Sequence, residues 1–230
     1  LADDMGLGKT IQVLALLAFE RQQRAEQAAK QASTPATAEA TTAEQAADAA
    51  AVAASSGRTP PTLLVVPMSV VGNWVHEAKR FCPELRVLLH HGVGRYTSDE
   101  FVKQAESSDA VITTYAIAHR DRETLRRVHW QRVVLDEAQY IKNPGTKQSA
   151  AVRSLPSNTR VALTGTPVEN RLSELWSILD FLNPGYLGPS ASFRKRFSVP
   201  VERYHDVGRG QQLRELVRPF ILRRLKRDPG

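Results

Sequence analysis

The sequence predicts an α/β fold built on a doubly wound, mainly parallel sheet, and three observations predict it. Five short apolar runs recur along the chain, stretches of helical spacing separate them, and a glycine-containing loop ending in Gly8-Lys9-Thr10 stands directly before the first helical stretch. Short runs of Val, Ile and Leu without clean alternation are how strands buried on both faces of a parallel sheet read. Their alternation with helices places the sheet between two helical layers.

The elements follow in order. Ile11, Leu14, Leu17 and Ala18 recur at helical spacing and predict a helix over residues 10–24, which the Ala- and Gln-rich continuation extends to about residue 33. Strands are expected at 63–66, 87–89, 110–112, 133–135 and 161–163, and further helices at 75–81, 100–105 and 171–182. Residues 25–61 break the pattern. They are rich in Ala, Thr, Gln and Ser, offer few large apolar side chains to bury, and read as a low-complexity insertion. Asn183-Pro184-Gly185 is a turn signal. The expected division is therefore an ATP-site lobe over 1–185, carrying the insertion, and a basic helical extension over 186–230.

Composition narrows the function classes. A chain of 230 residues with 42% hydrophobic and 24% charged residues can bury a core. It has no apolar run of about 18 residues, so neither a membrane span nor a membrane partner is expected. Leu1-Ala2-Asp3-Asp4 lacks the basic-then-apolar pattern of a secretory leader. Cys82, the single cysteine, excludes an intrachain disulfide and a cysteine-based metal site. The net charge is +7, and residues 194–227 alone hold eleven Lys or Arg against Glu202, Asp206 and Glu215. That tail suits a polyanion, although charge alone is equally compatible with a solvated helical face.

The strongest motif is Asp3-Asp4-Met5-Gly6-Leu7-Gly8-Lys9-Thr10. Glycines let backbone N–H groups close around phosphates, and the following helix adds its N-terminal dipole. Lys9 suits the β- and γ-phosphates, and Thr10 offers a hydroxyl to Mg²⁺. The usual phosphate loop has a further glycine where this chain has Asp3, and a strand should precede the loop. Alone, the motif is also compatible with a glycine-rich turn before an ordinary helix.

Residues 132–139 read as an apolar strand ending in Asp136 and Glu137. Ligands meet parallel sheets at the C-terminal ends of strands. Asp136 suits the Mg²⁺ shell, and Glu137 suits the orientation and deprotonation of an attacking water. Thr164-Gly165-Thr166-Pro167 ends another strand with hydroxyls able to sense the acidic one. The ends at Thr113-Thr114 and Ser69 offer small polar groups of the kind that hold a nucleic-acid backbone, which spacing alone does not separate from turn chemistry. His90 and His91 lack carboxylate neighbours at ligand spacing and read as structural; Trp130 and Trp176 read as packing residues.

Together these residues resemble a known family. The blocks 3–12, 65–74, 112–115, 136–143, 163–170 and 219–228 resemble, in order, those of the Swi/Snf family of helicase-related ATPases in superfamily two, and they cover nearly the whole chain outside the insertion. The resemblance implies a three-layer RecA-like P-loop NTPase lobe with a peripheral basic helical extension. It implies ATP and Mg²⁺ bound between this lobe and a second lobe of the parent chain. ATP would lie against Asp4, Met5, Gly6, Leu7, Gly8, Lys9 and Thr10, with Mg²⁺ on Thr10 and Asp136. Lys9, Asp136, Glu137 and Gln139 would carry hydrolysis, and Thr164, Gly165 and Thr166 would couple it to movement. Ser69, Asn73, Thr113 and Thr114 would face the DNA track, and residues 219–226 would sit in a helical region leading toward the second lobe.

The implied activity is ATP-driven movement along double-stranded DNA that displaces or remodels bound proteins. The implied second lobe would supply an arginine worth roughly 10³ to 10⁵ in rate, so this lobe alone is expected to hydrolyse ATP weakly. Two rivals stand beside this reading: an RNA-directed or strand-separating helicase, and a non-catalytic module that only grips DNA or a partner. The alanine-rich insertion and short connections favour a bacterial cytoplasm or nucleoid over a nucleus.

Overall fold

The computed structural model describes residues 1–3, 8–32, 59–165 and 171–224. Helix α1 (Lys9–Ala32) is followed by β1 (Thr62–Val66), α2 (Val71–Phe81), β2 (Val87–Leu89), α3 (Ser98–Glu106) and β3 (Ala110–Thr114). Short helices α4 (Tyr115–Arg120) and α5 (Arg122–Arg126) lead into β4 (Trp130–Leu135), α6 (Lys147–Arg153), β5 (Ser157–Ala162) and α7 (Leu172–Leu182). The five strands form one parallel sheet in the order β2-β3-β1-β4-β5.

The three layers follow from strand alternation. Leu63, Val65, Val111, Val133 and Leu135 point to one face, where Phe101, Ala118, Leu125, Val152 and Phe181 from α3 to α7 cover them. Leu64, Val66, Ile112 and Val134 point to the other, under Val13, Leu14 and Leu17 of α1 and Trp74 and Ala78 of α2. Central strands β1 and β3 are buried throughout, which is why they read as unbroken apolar runs. Strand β5 reaches back to Ser157 through polar residues that are partly exposed, so only its last residues carried an apolar signal.

Two extended segments widen the sheet beyond β5. The Leu1 nitrogen donates to the Ala162 carbonyl at 2.7 Å, and the Thr164 N–H donates to the Leu1 carbonyl at 3.0 Å. On the far side, the Ala2 N–H donates to the Leu222 carbonyl at 2.8 Å. The backbone before the phosphate loop therefore lies where a strand is expected.

Past Gly188, α8 (Ser190–Phe193) runs through a π-helical turn (Arg194–Ser198) into α9 (Val199–Tyr204), and α10 (Val207–Val217) follows. These helices pack Phe193, Phe197, Leu213 and Val217 on Leu175, Trp176 and Leu179 of α7. Helix α7 is thus buried on two sides. Helicity ends with the 3₁₀ turn Arg218–Phe220, Ile221 is extended and residues 222–224 are not helical, which corrects the expectation of a helix there; 225 and 226 lie outside the described residues. Among the described residues, no helix is long and apolar enough to cross a membrane.

Candidate nucleotide site

The segments that follow β1 and β4 and the start of α1 converge on one cleft of about 370 Å³, lined by Gly8, Lys9, Thr10, Ile11, Val70, Asn73, Trp74, Glu77, Asp136 and Glu137. Gly8 has a φ of 71°, a left-handed conformation that glycine adopts without strain, and it turns the loop into α1. The Gln12 N–H donates to the Gly8 carbonyl at 3.0 Å, which opens the helix. The first N–H groups of a helix have no intrahelical acceptor and face outward along its axis. Lys9 Nζ donates to the Asp3 carbonyl at 2.7 Å, so its stem is held beside the loop. Asp4, Met5, Gly6 and Leu7 lie outside the described residues.

Asp136 sits at the end of β4, its N–H bonded to the Val65 carbonyl at 2.9 Å. Its Oδ1 accepts the Glu137 N–H at 2.9 Å, and its Oδ2 accepts the Trp74 indole N–H at 2.8 Å. Burial pushes the Asp136 carboxyl above its ordinary value; those two N–H donors and Lys9 pull against the rise, while Glu137 adds to it. Tyr115 braces the backbone from below, its hydroxyl donating to the Asp136 carbonyl at 2.8 Å while its ring stacks on Tyr140.

Glu137 is left-handed, with φ 48° and ψ 59°. For a residue with a Cβ this costs about 1 to 2 kcal/mol. The turn breaks the strand after Asp136 and brings the chain into a 3₁₀ turn, Ala138–Ile141, tied to the neighbouring segment by the Ala138 N–H on the Leu163 carbonyl at 2.9 Å. A side-chain relay results. Gln139 Nε2 donates to Glu137 Oε2 at 2.7 Å, and Thr164 Oγ1 donates to Gln139 Oε1 at 3.1 Å. Gly165 follows directly, and Thr166 lies outside the described residues.

The residues expected on a DNA track separate. Ser69 is exposed in the turn Met68–Val70 after β1. Asn73 lines the cleft with Lys9 and Asp136. Thr113 is fully buried and donates its hydroxyl to the His90 carbonyl at 3.0 Å, and Thr114 is 4% exposed with its hydroxyl capping α4 at the Ile117 N–H. Both hydroxyls are engaged inside the fold, and Thr114 also lines a separate cavity with Pro67, Met68 and His91. His90 is structural, buried with its Nε2 2.9 Å from Asp121. Trp74, Tyr115 and Glu77 were not singled out as site residues. Trp74 sits four residues past β1-linked Val70, in the same block as Asn73, and that adjacency was its one signal.

Comparison with known proteins identifies the family. A family model described as SNF2-related domain matches residues 1–229. The chain is 43% identical over 228 residues to YwqA of Bacillus subtilis, whose name describes an ATP-dependent helicase/translocase; the match covers 99% of this chain and 21% of that protein. It is 34% identical over 232 residues to the ISWI chromatin-remodeling complex ATPase CHR17 of Arabidopsis thaliana, covering 99% of this chain and 18% of that one. The solved SWI2/SNF2 ATPase core of Sulfolobus solfataricus in complex with dsDNA superposes with a TM-score of 0.73 at 37% identity, covering 99% of this chain and 40% of that one. The chain thus spans about a fifth of the length of these two curated relatives, and it belongs to the SNF2-related family of helicase-like ATPases.

Proposed function

We propose that this chain is the ATP-binding first lobe of a motor that hydrolyses ATP to move along double-stranded DNA and displace or remodel bound proteins. The observation that carries the reading is the meeting of Lys9, Thr10, Asp136 and Glu137 in one cleft, with Glu137 joined through Gln139 to Thr164. Lys9 and the N–H groups at the start of α1 receive the phosphate charge of ATP. Asp4, Met5, Gly6 and Leu7 are the further ATP-binding residues of this reading. Glu137 keeps Oε1 for the attacking water, orients it and takes its proton, and Gln139 fixes the other oxygen.

The residues present fit Mg²⁺. Thr10 and Asp136 bring hard oxygen donors to the same cleft, and each Asp136 oxygen accepts one N–H and keeps a lone pair. The ion supplies charge neutralisation at the phosphate oxygens.

A change at Glu137 reaches Thr164 through one side chain, Gln139, and Gly165 and Thr166 follow Thr164 in the chain. They are the coupling segment toward a second lobe of the parent chain. Ser69 is the candidate for a DNA backbone contact, and the basic residues 194–224 add sequence-independent attraction to the polyanion. The proposed division is a lobe over 1–185 and an extension over 186–230, and the proposed setting is the bacterial cytoplasm, on nucleoid DNA.

The test is triplex displacement by the full-length parent. ATP-dependent release of a third strand from an intact duplex, lost in Lys9→Ala, is expected. Strand separation of the duplex, or ATP-driven movement only on RNA, would replace the duplex-translocase reading.

A further inference from the structure

We propose that Trp74 is a positioning residue for Asp136, an inference that rests on the ATPase reading of the cleft. Its indole is 1% exposed and lies in the core between α2 and the sheet with Val71 and Ala78. An indole N–H is a donor only, so a buried one is pointed at an acceptor. Here the acceptor is Oδ2 of Asp136, at 2.8 Å and 62 residues away in sequence. The second carboxylate oxygen is taken by the Glu137 N–H at 2.9 Å.

Two donors on two oxygens fix the plane of a carboxylate. Without the indole, Asp136 is free to rotate about its Cα–Cβ and Cβ–Cγ bonds, because the Glu137 N–H alone holds one oxygen. With it, both oxygens are held, and each keeps a lone pair in a cleft that Lys9 and Thr10 also line. Trp74 belongs to the apolar cluster of α2 and β1, and its indole N–H is the polar contact that this cluster gives Asp136. Such outer partners orient ligands to metals, and their loss commonly costs 10- to 100-fold in metal affinity.

The experiment uses the full-length parent with ADP and Mn²⁺ as the spectroscopic stand-in for Mg²⁺, and reads bound Mn²⁺ by electron paramagnetic resonance. Trp74→Phe keeps an aromatic ring and removes the N–H. The expected result is Mn²⁺ affinity in the ADP complex weakened by about 10- to 100-fold, with ADP affinity in the absence of metal unchanged. The half-saturating Mg²⁺ for ATP hydrolysis should rise in parallel. If Trp74→Phe misfolds, 3-benzothienylalanine at position 74 keeps the shape of the indole and replaces the N–H with sulfur. Either variant binding Mn²⁺ as tightly as the parent protein overturns the inference, even where its melting temperature falls. If the parent itself binds no Mn²⁺·ADP, or Lys9→Ala leaves hydrolysis intact, the ATPase reading fails first and takes this inference with it.

Discussion

Arg224 closes on Asp3 across 221 residues of chain. Its backbone N–H donates to Asp3 Oδ1 at 2.8 Å, and its guanidinium grips Oδ2 through Nε at 3.1 Å and a terminal nitrogen. Asp3 stands where the usual phosphate loop has its first glycine. Its side chain is fully buried, Gln12 donates to the same Oδ2 at 3.3 Å, and its carbonyl accepts Lys9 Nζ. The segment after α10 is therefore latched to the residue whose carbonyl also holds Lys9.

Removing Arg224 alone strands a buried carboxylate, whereas removing both partners does not. The prediction is that Arg224→Ala lowers the melting temperature more than the double substitution Asp3→Asn with Arg224→Ala. Faster hydrogen exchange at the Ala2 amide, which bonds to Leu222, should accompany both. A double-mutant cycle with no coupling would contradict the latch. Arg224 holds the Asp3 carboxyl below its ordinary value against the opposing effect of burial. The folded state thus favours the ionised form, and this contribution is present above about pH 4 and lost as pH falls through the lowered value. Arg224→Ala should remove that part of the acid sensitivity.

His90 gives a second pH dependence of different origin. Burial pushes its imidazole below the ordinary value despite Asp121, while Arg95 and His91 act in the same direction as burial. The unfolded chain takes up a proton near pH 6.5 and the folded chain resists it. Stability from this site is therefore complete above about pH 6.5 and declines as pH falls toward the lowered value. His90→Gln should flatten the melting temperature between about pH 7 and pH 5. An unchanged slope would place the acid sensitivity elsewhere.

Thr113 and Ser69 should behave oppositely. Thr113→Val deletes a buried hydroxyl bond to the His90 carbonyl and should cost about 1 kcal/mol in denaturant unfolding, with DNA affinity unchanged. Ser69→Ala should leave stability within about 0.5 kcal/mol and weaken binding to duplex DNA at fixed salt. A Thr113→Val protein that folds normally and loses DNA binding would reverse this assignment.

The Glu137–Gln139–Thr164 relay makes a kinetic prediction. Each link is worth about 1 kcal/mol, so Gln139→Ala or Thr164→Val should lower DNA-stimulated kcat about fivefold. ATP affinity should hold, because neither residue lines the phosphate end of the cleft. Steady-state kinetics with and without duplex DNA would measure both quantities. A rise in KM with kcat intact would mean that the relay serves binding instead.

What was legible in the sequence is what local chemistry writes there. Strands such as Leu63 to Val66 are apolar because both faces are covered, and Asp136 and Glu137 stand out because acids end an apolar run. The short helices α4 and α6 escaped because six or seven residues carry too little periodicity, although Thr114 and Thr146 cap them through the Ile117 and Ser149 N–H groups and offered a signal. The burial of Thr113 was not legible, because a hydroxyl near a strand end looks solvent-facing until the strand is known to be covered on both sides. The pairs Trp74–Asp136 and Asp3–Arg224 had no sequence signal, since parallel crossovers bring together residues 62 and 221 positions apart.

The most direct test of the account is ATP hydrolysis by the full-length parent, alone and with duplex DNA, single-stranded DNA or RNA, beside Lys9→Ala and Glu137→Gln. The account predicts strong stimulation by duplex DNA, loss of nucleotide binding in Lys9→Ala, and retained binding without turnover in Glu137→Gln. Hydrolysis indifferent to DNA, or surviving in either variant, would contradict it.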